Sequence, residues 1–219
     1  MAIASGVRLL ACGSTAAIPN VGAKPMQTLV VATSNPGKVE EMQAYLDGLA
    51  WHLQLKPPQL EIEETGKTFA ENACLKATQV ARALGMWAIA DDSGLEVAVL
   101  GGAPGLHSAR YGKTDAERIA RLLKALGDRS ERAAQFACAI ALARPDGTVA
   151  LQAMGICPGT ILDAPRGTGG FGYDPIFYVP EAGRTFAEMS PEQKHSLSHR
   201  GRAFAELLPQ LAALSAAPL

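Results

Sequence analysis

Apolar positions along the chain alternate between two periods, and the switches between them predict the order of elements. Thr28 to Thr33 (Thr-Leu-Val-Val-Ala-Thr) is a β-branched, apolar run that predicts a strand, and Pro36 suits the first turn of a helix running to about Leu46. Pro57-Pro58 breaks the chain before Leu60 to Glu64. Phe69, Ala73, Ala77, Val80 and Leu84 then recur at helical spacing, with Gly85 as the C-terminal stop. On another face of that helix Asn72 and Lys76 are four apart, hence stacked neighbours. Trp87 to Ala90 reads as a buried strand delivering Asp91 and Asp92, and Thr114 to Leu126 as an amphipathic helix. Ala133 to Ala143 and Thr148 to Met154 predict two strands joined by the turn chemistry of Pro145-Asp146-Gly147. Ser190-Pro191-Glu192-Gln193 is a capping pattern opening a helical segment that continues past Gly201 through Phe204, Leu207, Leu208 and Leu211. Strands alternate with helices and a hairpin interrupts the parallel pattern, so the fold class is α/β with a mixed sheet and flanking helices.

Composition narrows the partners. The chain has 219 residues, with 20 basic against 21 acidic side chains, which gives no global field of either sign. A nucleic-acid or membrane-surface binder carries a basic excess, so a small ligand at a local site is favoured, with neither nucleic acid nor membrane as partner. Cys12, Cys74, Cys138 and Cys157 are far apart and lack zinc spacing, which reads as reduced, mostly buried thiols of a cytoplasmic protein. The longest apolar stretch, Ala133 to Ala143, is too short to span a bilayer. Residues 1–27 read as an N-terminal extension, flexible or reflecting a start codon upstream of Met26, rather than a leader with only Arg8 as its charge. Residues 28–214 read as a single domain of two lobes around a cleft.

Several short segments carry chemistry. Asn35-Pro36-Gly37-Lys38 opens a helix, where free backbone amides, the positive dipole end and the Lys38 charge attract phosphate. Ala32 and Val39 stand where a Walker A loop needs Gly and Ser or Thr. Asp91-Asp92-Ser93-Gly94, trailed by a glycine-rich loop and by Ser108-Ala109-Arg110-Tyr111, suits a divalent metal plus a polyanion. If the strand persists through them, Asp91 and Asp92 project to opposite faces. Glu61, Glu63 and Glu64 form a second acidic cluster. Gly167 to Gly172 fits G-x-G-x-x-G but is followed by Tyr173-Asp174-Pro175 rather than a helix, which makes a dinucleotide fold a decoy. Its glycines would let backbone approach a ring, Phe171 offers a stacking face, and Asp174 can accept from a purine N–H. His195 and His199 lie four apart without the Glu of HExxH, so zinc is disfavoured, and His52 and His107 read as ordinary surface or loop residues.

Together, Thr33-Ser34-Asn35-Pro36-Gly37-Lys38, Asp91-Asp92-Ser93-Gly94, Phe171-Gly172-Tyr173-Asp174 and Ser198-His199-Arg200 resemble the non-canonical purine nucleoside triphosphate pyrophosphatases, from about Thr28 to about Leu211. The resemblance implies an inosine-triphosphatase-like fold and hydrolysis of ITP, dITP and XTP to the monophosphate and pyrophosphate, through Mg2+-dependent attack of water on the α-phosphorus. It also implies a homodimer. Carried over by motif, Thr33 to Lys38 are the triphosphate loop, with Lys76, Ser93 and Arg110 also on the substrate. Phe171, Gly172, Tyr173 and Asp174 form the nucleobase pocket, and Lys194, His199 and Arg200 contact the nucleotide. Asp92 is the proton acceptor and a metal ligand, and Glu63 the second ligand by the Glu-Glu-Thr-Gly match, with Glu64 the alternative. A carboxylate bonded directly to Mg2+ is a poor base, so Asp92 either acts through water or shares its two roles with another residue. Two other readings compete: a Maf-type pyrophosphatase acting on pyrimidine or modified nucleotides, and a non-catalytic nucleotide sensor.

Overall fold

The computed structural model describes residues 27–49 and 51–216, so the N-terminal extension, apart from Gln27, lies outside the described residues. The elements are β1 (Gln27–Val31), α1 (Pro36–Leu46), β2 (Trp51–Leu55), α2 (Phe69–Leu84), β3 (Trp87–Val97), α3 (Asp115–Leu126), β4 (Ala133–Ala143), β5 (Val149–Ile161), β6 (Phe177–Val179), β7 (Arg184–Thr185), α4 (Pro191–Leu197) and α5 (His199–Ala216). One sheet joins the strands in the order β2-β1-β3-β4-β5-β6-β7. β1 is parallel to β2 and β3, and every later pairing is antiparallel, which makes the sheet mixed.

Three strands run long, and they cross from one part of the core to another. Near the start of β3, Ile89 packs with Leu29, Val31, Ile140 and Leu142 under Met42 of α1 and Phe204, Leu207 and Leu211 of α5. Ala88 and Ala90 face the other way and join Ala139 and Ala141 beneath Phe69, Ala73, Ala77 and Val80 of α2. At the far end Leu95 and Val97 belong to a third cluster with Phe136, Ile161, Phe177 and Phe186, covered by Leu122 and Leu126 of α3. This period of two along β3 places Asp91 on the α1/α5 face and Asp92 on the α2 face, at the passage between the cores.

The helices follow their sequence signals. Thr68 and Thr114 cap α2 and α3 by accepting from Glu71 N and Glu117 N, and Gly85 ends α2 in the left-handed region at φ 62°. Three boundaries differ from the sequence reading. β3 does not stop at Ala90 but continues through Asp-Asp-Ser-Gly to Val97, because β4 pairs it residue by residue from Ala88↔Ala143 to Val97↔Ala134. β5 runs to Ile161 rather than Met154, paired on β4 and then on β6. The C-terminal helical segment is two helices, since Ser198 is extended (φ −70°, ψ 160°) and its Oγ accepts from Gly201 N at 3.1 Å. Among the described residues no helix is long and apolar enough to cross a membrane.

Candidate active site

Asp91 and Asp92 are adjacent in sequence and serve different surroundings. The Asp91 side chain is wholly buried, and its Oδ2 lies 2.9 Å from both Lys38 Nζ and Arg200 Nη2. Burial alone would raise its pKa, but the charges of Lys38, Arg200 and Lys76 outweigh that and hold the carboxyl well below the usual range. Asp92 accepts from Lys76 Nζ at 2.8 Å and from Asn72 Nδ2 at 3.2 Å. Asn72 and Lys76 are thus the stacked pair foreseen on α2, buried rather than solvated. Burial would lower the Lys76 pKa, yet Asp91 and Asp92 raise it, so the ammonium stays charged.

A cleft of about 500 Å³ opens beside Asp92. Thr33, Ser34, Asn35 and Lys38 form one wall, Glu61, Glu64, Lys76 and Asp92 another, and Arg110 the rim. Arg110 is 59% exposed and reaches Glu64 at 3.5 Å, the same distance at which Lys76 meets the other Glu64 oxygen. Glu63 lies off this wall: it is exposed, and its backbone N–H and C=O are both bonded to Gln79 at 3.1 and 2.9 Å. The loop before α1 is also more occupied than its sequence suggests. Asn35 Oδ1 accepts from Gly37 N (3.0 Å) and Lys38 N (3.5 Å), so two amides counted as free for phosphate are already capped, and Pro36 supplies none.

The glycine-rich segment after β3 explains how Ala109 and Arg110 reach the site. A Cβ on Gly94 would collide with the Gly105 carbonyl, so the 105–110 turn can lie directly on β3. Ser108 secures that contact by accepting from Leu95 N at 2.9 Å.

A second, smaller cavity of about 70 Å³ adjoins the cleft and shares Asn35, Lys38, Ser93 and Ala109 with it. Phe171, Gly172, Tyr173 and Asp174 line it together with Lys194, His199 and Arg200, so these two C-terminal motif segments meet there with Asn35 and Lys38 from the start of the domain. Asp174 Oδ2 accepts from Phe171 N at 2.9 Å and from Lys194 Nζ at 2.7 Å. Lys194 also pairs with Glu41 at 2.8 Å, and these two carboxylates outweigh the lowering effect of burial and keep it charged. Arg200 lines only the smaller cavity; it pairs with Glu41 through Nη1, and with Asp91 and Ser93 through Nη2. His199 stacks on Phe136 with centroids 4.7 Å apart. Burial, then the charges of Arg200 and Lys194, hold it well below its usual pKa and therefore neutral. His199 Nδ1 and Arg200 Nε are buried without a hydrogen-bond partner among the described residues. Gly37 closes the cavity opposite, its Cα so near the Phe171 ring that a Cβ would strike the ring edge.

Sequence reasoning did not single out Glu41, Lys56, Phe136 or Arg118. Glu41 follows Lys38 by one helical turn, a spacing that could have flagged it. Phe136 sits inside an apolar strand and reads as core, and Lys56, which donates to Leu60 O at 2.9 Å, carries no motif. Among the described residues no three His, Cys, Asp or Glu side chains gather as a metal site. Of the three carboxylates lining the cleft, Glu61, Glu64 and Asp92, the last two are bridged by Lys76, and Mg2+ needs few protein carboxylates when phosphate oxygens and waters complete its shell. The donor set fits Mg2+ in that form.

Comparison with known proteins agrees with this layout. The Ham1 family matches residues 29–210. The dITP/XTP pyrophosphatase of Nostoc sp. is 68% identical over 186 residues, 85% of this chain and 95% of that protein. The dITP/XTP pyrophosphatase of Synechocystis sp. is 60% identical over 185 residues, covering 84% and 95%. The solved HAM1 protein of Coxiella burnetii superposes with a TM-score of 0.79 at 46% identity, covering 86% of this chain and all of the other. A match over residues 29–210, which takes in both cavities and nearly all of the sheet, makes this chain a member of the Ham1 family.

Proposed function

We propose that the protein is a Mg2+-dependent nucleoside triphosphate pyrophosphatase that converts ITP, dITP and XTP to the monophosphate and pyrophosphate. One observation carries the reading. A polar cleft with cations and carboxylates shares a wall with a smaller aromatic cavity, the partition a purine triphosphate requires. The relatives' names support the same substrates.

The triphosphate lies in the cleft, where Lys38, Lys56, Lys76 and Arg110 neutralise its charge. Glu64 rather than Glu63 would hold Mg2+ with Asp92, because Glu64 is on the wall; the cation would supply charge neutralisation at the leaving pyrophosphate. Asp92, oriented by Asn72 and Lys76, would reach the cation through water rather than by direct ligation; it accepts a hydrogen bond from the attacking water and takes its proton. As the new oxygen–phosphorus bond forms at the α-phosphorus, the bond to the bridging oxygen breaks and pyrophosphate leaves.

Base choice follows from the donors of the smaller cavity. Lys194 and Arg200 are charged donors beside neutral His199, and the C6 oxygen of inosine or xanthine accepts from such groups. Adenine presents an amine there and leaves a buried donor unpaired, which can discriminate by about ten-thousand-fold. At about 70 Å³ the cavity is far below the roughly 300–1,000 Å³ of ordinary ligand pockets, so the base enters as Phe171 shifts away from Gly37. We further infer a homodimer in the cytoplasm. Exposed Met154 and Ile156, on one face of β5, support self-association.

The test is incubation with ITP, dITP, XTP, ATP and GTP in Mg2+, resolving pyrophosphate from orthophosphate. Pyrophosphate should appear in step with monophosphate, with kcat/KM for ITP, dITP and XTP far above ATP by the C6 contact, and above GTP by exclusion of its 2-amino group. Diphosphate plus orthophosphate, or equal efficiency on ATP and ITP, would refute the reading.

A further inference from the structure

The loop bearing Phe171 is tied down at two successive amides. Phe171 N–H donates to Asp174 Oδ2, within the loop, at 2.9 Å. Gly172 N–H donates to Asp115 Oδ2 at 2.7 Å, from a residue 57 positions away at the first position of α3. These amides flank Phe171, so its backbone is fixed on both sides. The flanking glycines, Gly170 and Gly172, sit at φ +73° and +65°, which makes the loop adaptable wherever it is not held. Asp115 Oδ1 meanwhile accepts from Arg118 Nη1 at 2.6 Å, and Arg118 lines the same cavity while its Nε donates to Gly112 O at 3.1 Å.

We propose that Asp115 is a positioning residue for nucleobase binding: its carboxylate bridges the Gly172 amide and Arg118, and so fixes the backbone that carries Phe171 and one wall of the cavity, while the ring itself is left to swing for the base. This rests on the reading of that cavity as the base site. An acidic residue in the first turn of a helix is favoured by the helix dipole alone. Glu117 fills that role in the same turn and spends its side chain on Lys113 N at 2.7 Å, away from the loop. Only Asp115 spans from α3 to Gly172.

Three variants separate the two accounts: Asp115→Ala, Asp115→Asn and Glu117→Ala, each measured for ITP turnover and for amide hydrogen exchange at Gly172. Loss of a charge-assisted bond to the loop should raise KM by about tenfold in Asp115→Ala with kcat little changed, and speed Gly172 exchange. Asp115→Asn keeps an acceptor oxygen and should recover most of the KM and the protection. Glu117→Ala should resemble wild type in both. The proposal is overturned if Gly172 exchange is unchanged in Asp115→Ala. It also fails if KM rises equally in Glu117→Ala, or if Asp115→Asn is as impaired as Asp115→Ala. Should wild type release no pyrophosphate, the functional reading fails instead, and the exchange measurement still decides whether Asp115 holds the loop.

Discussion

Replacing either of the two neighbouring aspartates by asparagine should damage the protein in opposite ways. In Asp91→Asn a wholly buried carboxylate is removed from between Lys38 and Arg200, each 2.9 Å away. The amide is nearly isosteric, so packing survives, but two cations lose their shared counter-charge. Arg200 is itself buried and keeps only Glu41 as a charged partner. Breaking a buried pair in this way costs about 3–5 kcal/mol. In a chain of this size each kcal/mol moves the melting temperature by about 2–4 °C, so Asp91→Asn should melt on the order of 10 °C below wild type. In Asp92→Asn the oxygen facing Lys76 can remain an acceptor, and Lys76 retains Glu64. Stability should then fall by less than in Asp91→Asn. Turnover of saturating ITP should fall by about a hundredfold or more, since each decade is about 1.4 kcal/mol of transition-state stabilisation. Thermal melts followed by circular dichroism, paired with pyrophosphate release at saturating substrate, read both quantities. If Asp91→Asn melted with wild type, or Asp92→Asn lost more stability than Asp91→Asn while keeping its turnover, the division of labour between the two faces of β3 would be wrong.

The second acidic position and His199 give two further tests. Glu64→Gln should raise the Mg2+ concentration for half-maximal turnover by at least about tenfold, whereas Glu63→Gln should leave it unchanged; the reverse order in a Mg2+ titration would return the role to Glu63. The folded pKa of His199 lies well below its ordinary 6.5, so on acidification the unfolded chain takes up the proton first. Its contribution to stability is complete above pH 6.5 and is lost as pH falls below that toward the folded value, at no more than about 1.4 kcal/mol per pH unit. Urea midpoints between pH 7.5 and 5.0 should therefore drop in wild type and flatten in His199→Phe, which keeps an aromatic ring against Phe136; an unchanged slope would remove His199 as the source.

Much of this fold is legible in the sequence wherever one local rule decides the outcome. The Ser190 capping pattern and Gly85 mark their helix ends, and β4 runs over the residues that its apolar composition marks out. The continuation of β3 past Ala90 escaped because Asp, Ser and Gly are poor strand formers, and its ladder with β4 and the burial of both aspartates keep it extended. The charge partners of Asp91 come from α1 and α5, more than fifty and a hundred residues away in the chain, so spacing could announce the motifs but not which cation each carboxylate would meet. The same holds for the choice between Glu63 and Glu64, which depends on Gln79 of α2 binding the Glu63 backbone. Asp115 stands outside every motif, and only its contact with Gly172 singles it out.

The passage of β3 through all three cores also limits how this chain can change its length. A single residue inserted between Ala90 and Asp91 would turn every later side chain to the opposite face of the sheet. Leu95 and Val97 would leave the third cluster, and each aspartate would exchange its cations for those of the other. Insertions and deletions are therefore excluded from this stretch, although point substitutions on it can fold. Changes of length that leave this register intact are open instead to the segments around β3: the loop before α1, the 101–110 turn and the 167–174 loop.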